Sequence, residues 1–187
     1  MIREMKTLLM AVMMLITFTS STKAQNVTEP EYIGQVAHVK EDGKQLLLTK
    51  EEAQMKTKTS GFGYIPIPGS SLLDKGKTFL QVKGASSPTK IGKGKITFVI
   101  RVKDNNEDPK NALGIFKFEA KKKERRFMMA EVGVLSGMKA TSSFNTIPYE
   151  VKKHGESSYM VTMHDLAPGE YGIVTSDMGN VSTFSVE

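Results

Sequence analysis

The sequence predicts an all-β protein, an antiparallel two-sheet β-sandwich with a closed β-barrel as the alternative. Three observations carry this. After the first thirty residues, apolar side chains recur at every second position, the period of a strand with one buried face. Turn-forming Gly, Pro, Asn and Asp punctuate these runs at short intervals. No long stretch shows the 3.6-residue period of an amphipathic helix.

The elements follow in chain order. Arg3 and Lys6 precede an apolar run from Leu8 to Phe18, then the small polar stretch Thr19 to Ala24. That order is the plan of a secretory signal peptide. The apolar run falls short of the roughly 20 residues that span a bilayer. We therefore expect a leader at 1–24, with Thr22 and Ala24 before the cut, and a single domain at 25–187. From Tyr32 to Val39 the chain is β-rich, and Asp42-Gly43 forms a hairpin signal before the return strand Gln45–Thr49. In Lys50–Thr59, Met55, Thr57 and Thr59 alternate with lysines, the pattern of an edge strand. Capping-box chemistry at Thr49 and Glu52 leaves a helix as the alternative there. Residues 60–76 are broken by glycines, and Pro66 and Pro68 bar a central strand. Thr78–Lys83 is a short strand, and residues 85–95 form a polar connection. Ile96, Phe98, Ile100 and Val102 share one face of the clearest strand, with Val99 the one apolar residue on the other. Leu113–Ala120, Phe127–Leu135, Ile147–Lys152, Ser158–Leu166, Tyr171–Ser176 and Val181–Val186 complete the set. Tyr159, Val161 and Met163 share a face.

The best-defined motif is Leu166-Ala167-Pro168-Gly169-Glu170-Tyr171. Pro168-Gly169 fits a type II turn, Leu166 can enter the core, and the Tyr171 hydroxyl can reach back to the corner backbone. This string resembles the penultimate-strand corner of immunoglobulin-like, fibronectin-III-like and prealbumin-like sandwiches. The resemblance implies an immunoglobulin-like sandwich over the last third of the chain, and no activity, because such folds host many functions. The Ala24-Gln25 junction and the string Lys153 to Tyr159 resemble uncharacterised exported proteins of Bacteroidales-type bacteria. The resemblance implies a periplasmic or extracellular protein.

Composition narrows the chemistry. The 187 residues include no cysteine, which excludes disulfides, thiolate metal sites and a cysteine nucleophile. The net charge is +6, and the leader carries +2 of it. A mildly basic exported domain implies no nucleic-acid partner; an envelope protein or a glycan is the expected one. His164 and Asp165 adjoin, but alternation puts them on opposite faces, and no Gly-x-Ser-x-Gly elbow is present. Asp104, Asn106 and Asp108 alternate like the start of a calcium loop, yet Pro109 and Ile115 stand where an EF-hand needs glycine and glutamate. This makes them a weak calcium candidate beside the plainer reading of a polar connection. No cofactor is implied. Lys121, Lys122, Lys123, Arg125 and Arg126 form a basic run that reads as an anion site or as a solubilising hairpin tip. The chain has no tryptophan, so Phe62 and Tyr64 are the candidate aromatic platform. The sequence therefore points to an exported binding or scaffolding domain. The alternative is a secreted hydrolase using carboxylates such as Glu131, Glu150 and Glu170.

Overall fold

The computed structural model describes residues 27–59, 76–133, 137–139, 147–175 and 177–187. Among these residues, fourteen strands follow in chain order: β1 (Val36–Val39), β2 (Gln45–Leu47), β3 (Thr49–Thr59), β4 (Gly76–Lys83), β5 (Lys90–Ile91), β6 (Ile96–Arg101), β7 (Gly114–Lys117), β8 (Glu119–Ala120), β9 (Glu124–Gly133), β10 (Gly137–Lys139), β11 (Glu150–His154), β12 (Ser158–Met163), β13 (Gly169–Val174) and β14 (Asn180–Val186). Among the described residues, one short helix, α1 (Pro109–Ala112), interrupts them. It is capped by the Asp108 carboxylate, which accepts from the Lys110 N–H, and it carries proline in its first turn.

The strands form two sheets, as the alternating pattern predicts. One has five strands in the order β11-β12-β6-β1-β2, all antiparallel. Its β1–β2 hairpin turns at Gly43, whose φ of 81° suits glycine, while Asp42 accepts from the Lys44 N–H at 3.0 Å. The second sheet runs β10-β9-β4-β3-β14-β13-β7. β8 pairs with β9, and only Phe118 separates β8 from β7. The Phe118 N–H bonds to the Glu170 carbonyl at 2.8 Å. One continuous stretch therefore lies along β13 with its first half and along β9 with its second, closing the sheet into a nearly barrel-like ring.

β13 and β14 are the wall shared by the two layers. Their outward residues Tyr171, Ile173, Phe184 and Val186 join Phe98, Ile100, Tyr159, Val161 and Met163 in the sandwich core. Each of these large side chains contributes roughly 1.5–3 kcal/mol by burial. Their alternate residues face into the ring. There Val174 and Val181 meet Leu80, Val82, Phe116, Phe118 and Phe127 in a second apolar cluster. Gly172 is required in this wall: a Cβ there would lie 2.8 Å from the rings of both Phe116 and Phe118.

Residues 50–59 are a strand rather than a helix: its start pairs with β14 and residues 53–59 pair with β4 alone, so Met55, Thr57 and Thr59 lie on an edge as their pattern predicts. Two local readings change. The polar connection 85–95 contains β5, which pairs parallel with β14. Val99 is fully buried on the outer face of the five-stranded sheet. A strap formed by residues 27–30 covers part of that face. Glu29 accepts from the Ser157 N–H at 2.9 Å and pairs with Arg101 at 3.3 Å, and the Val27 carbonyl lies 3.0 Å from His154 Nε2. The Glu29 carboxyl is held below its ordinary range, first by the nearby Ser158 side chain and then by the Ser157 N–H. Phe62, Tyr64 and most of the Gly/Pro-rich stretch lie outside the described residues.

Candidate functional site

Strand register builds the most developed surface site. Across the outer face of the five-stranded sheet, Val39, Thr97, Thr162 and Glu150 are successive cross-strand partners on β1, β6, β12 and β11. At about 4.8 Å per strand, this row is about 14 Å long. The next row places Met160 beside Lys152. These residues floor a groove of about 570 Å³, rimmed by Val27, Lys40, Glu41, Lys95 and His164. The volume lies in the range of small-molecule sites. The two threonine hydroxyls are 3.3 Å apart, so they order each other and retain capacity for a ligand. His164 Nε2 stands 3.8 Å from Glu150, and both side chains are largely exposed. Among the described residues, the ammonium groups of Lys40, Lys95 and Lys152 make no hydrogen bond or close ion pair, although Lys40 acts on Asp42 through its charge and all three line the groove. The site sits on regular strands, which hold side chains more firmly than loops do.

The second concentration of chemistry is buried at one end of the ring. Arg125 has no solvent exposure. Its Nη2 lies 2.8 Å from each carboxylate oxygen of Glu51 and 3.0 Å from the Lys83 carbonyl, and its Nε donates to the Gly84 carbonyl at 3.1 Å. Glu170 Oε2 is 3.8 Å from Nη1 and accepts from the Ser87 N–H at 2.7 Å; the Ser185 hydroxyl donates to Oε1 at 2.6 Å. The Thr183 hydroxyl donates to Glu51 and lies 2.9 Å from Ser87 Oγ. Every carboxylate in this cluster is bonded, so its role is to close the ring's polar end. Such an arrangement serves structure rather than turnover.

The basic run of the sequence is divided by this geometry. Lys122 and Lys123 are exposed beside the β8–β9 turn, and Lys121 pairs with Glu119. Arg126 pairs with the same carboxylate at 2.7 Å and covers the Phe79 ring at 4.8 Å. These two cations pull the Glu119 carboxyl down to about 2, Arg126 through the larger hydrogen-bond contribution. Arg125 departs from the sequence expectation of an exposed cation. Alternation turns it inward, where two carboxylates compensate its charge. Lys122 and Lys123 stay exposed, as both the anion-site and the solubilising readings require.

Among the described side chains, the acidic residues do not converge either. Glu150 faces the groove and Glu170 the ring interior, with the sandwich core between them. The Glu131 side chain lies outside what the structure describes. Asp104 accepts from the Asn106 N–H at 2.7 Å, Asp108 caps α1, and Asn106 accepts from Lys153 at 2.7 Å. The would-be calcium ligands thus each serve a local turn, cap or ion contact. Among the described residues, no group of three His, Asp or Glu is placed to hold a metal ion.

The Leu166–Tyr171 corner forms as its sequence implies. Leu166 is buried, and the Tyr171 hydroxyl donates to the Ala167 carbonyl at 2.5 Å. Gly169 has φ 152°, wider than the φ near +80° of a type II turn, and a Cβ there would lie 2.5 Å from the Lys117 side chain. The groove residues Thr97, Thr162, Lys40 and Lys152 carry no sequence motif. Their one signal is polar residues at the outward positions of strongly alternating strands. No protein-family model, curated protein or solved structure matches the chain. No described helix is long and apolar enough to cross a membrane.

Proposed function

We propose that this protein is an exported domain, periplasmic or extracellular, that binds or scaffolds an envelope component without catalysing a reaction. The groove on the five-stranded sheet is its binding surface. The supporting observation is the preformed concavity of about 570 Å³ lined by Lys40, Lys95 and Lys152, whose ammonium groups make no hydrogen bond or close ion pair among the described residues. Charged groups left unpaired beside a shaped recess are what a polar ligand would complete.

The test is retention of material from a native envelope fraction on the immobilised protein. It is compared with the double variant Lys95→Glu/Lys152→Glu, whose substitutions sit on exposed side chains. Retention that disappears in the double variant supports the reading. Equal retention by both proteins would remove the groove from it. Turnover of any member of a hydrolase substrate panel would replace it with the enzyme alternative.

A further inference from the structure

Resting on that reading, we infer that the groove takes an acidic oligosaccharide, a chain of sugar rings carrying carboxylates of the uronate type. Three features of the site select this chemistry. The first is charge of mixed sign: Lys40, Lys95 and Lys152 share the groove with Glu41 and Glu150. A densely anionic surface such as a phospholipid headgroup layer would face those carboxylates with nothing to offer them. A uronate ring presents one carboxylate for an ammonium group and several hydroxyls that donate to Glu150.

The second feature is the floor. Thr97 and Thr162 place two hydroxyls side by side at the centre, able to donate to and accept from sugar hydroxyls. Among the described residues, no Phe, Tyr or Trp ring lines the groove, and His164 supplies its one imidazole. Affinity for a neutral sugar usually draws on ring stacking, so here it has to come from charge and hydrogen bonds.

The third feature is spacing. Lys152 shares a row with Met160 on one side of the threonine row. By the same register Lys95, just before β6, flanks it on the other side. Two strands across and four residues along put their Cα atoms about 17 Å apart. Cations that far apart suit an extended ligand with repeated charges better than a single small anion.

The experiment titrates the full chain with a tetramer of galacturonate by calorimetry. Parallel arms use its fully methyl-esterified form and inorganic phosphate. Lys95→Ala/Lys152→Ala tests the groove, and Lys121→Ala/Lys122→Ala/Lys123→Ala is the control on the hairpin tip. Matching thermal melts establish that the variants fold. The expected result is saturable binding of the acid form, at least tenfold weaker with the ester and at least tenfold weaker in the groove variant, with the tip variant unchanged. Equal affinity for the ester would overturn the acidic class while leaving the groove as a binding surface. Displacement by phosphate at the tetramer's own concentration would mean anion capture only, and would also overturn it. Loss in the tip variant instead of the groove variant would overturn the location. Absence of all binding would overturn the ligand class, and the envelope-retention comparison then decides separately whether the groove reading falls with it.

Discussion

The two interiors that meet at the β13–β14 wall are filled in opposite ways. The sandwich side is closed by large apolar groups, with Tyr171 stacked on Phe184 at 5.2 Å and Phe184 against Phe98 at 5.0 Å. The ring side has a shorter apolar body and ends in the Glu51–Arg125–Glu170 cluster. The comparison teaches that a single strand can serve two cores of different chemistry, because alternate side chains never share an environment. The largest test of this difference is Arg125→Ala. It leaves two carboxylates facing inward without their cation, and we expect a loss of about 3–5 kcal/mol in urea unfolding. The triple variant Glu51→Leu/Arg125→Met/Glu170→Leu removes the charges together and is expected to recover much of that loss. A loss below about 1 kcal/mol for Arg125→Ala would show that water reaches the cluster and that the ring's polar end is open.

Neighbouring residues on β14 sharpen the contrast. Phe184→Ala opens a cavity on the sandwich side and is expected to cost about 3–5 kcal/mol. Thr183→Val keeps the shape on the ring side but removes the hydroxyl that donates to Glu51. Its expected cost is about 1–3 kcal/mol, the worth of a hydrogen bond to a charged group, since Arg125 still bonds both Glu51 oxygens. Equal effects in equilibrium unfolding would mean that the two sides respond to lost volume alone.

The sandwich was far more legible in the sequence than the ring. Ile96, Phe98, Ile100 and Val102 alternate within a few residues, and their partners Tyr159, Val161 and Met163 alternate the same way. Asp42-Gly43 and the Leu166–Tyr171 corner are local motifs whose chemistry is complete within a few residues. The ring depends on distant partners. Arg125 reads as one more surface cation until Glu51, 74 positions away, arrives beside it. Thr183 and Ser185 are polar positions alternating with Phe184 and Val186, yet both are buried. Polarity signals solvent only while no partner is available, and pairing across the chain is invisible to local periodicity. The groove was illegible for the same reason, since register alone aligns Thr97 with Thr162.

The corner offers a smaller test at the sandwich edge. Tyr171→Phe removes the bond to the Ala167 carbonyl and leaves the ring packed. Because Ala167 is exposed, water can replace the hydroxyl there. The expected loss is about 0.5–1 kcal/mol, read from the urea midpoint. A loss of several kcal/mol would mean that the hydroxyl organises the whole 165–171 turn, including Asp165, which holds φ 52° without being glycine.

The smallest effect concerns pH, and it belongs to the sandwich alone. His38 lies against Phe98, with ring centroids 5.6 Å apart, at the margin of that core. Burial first, and then the nearby Lys40 charge, lower its pKa from 6.5. The folded state therefore resists protonation more than the unfolded chain does. Stability from this residue is complete above pH 6.5 and declines as pH falls through 6.5 toward the lower folded value. His38→Gln is expected to flatten that decline when urea midpoints are compared at about pH 7.5 and about pH 5. The Glu29 carboxyl is also shifted down, but from 4.5, so Glu29→Gln should leave this window untouched and act only as pH drops below 4.5. An unchanged slope in the His38 variant would move the acid sensitivity to another group.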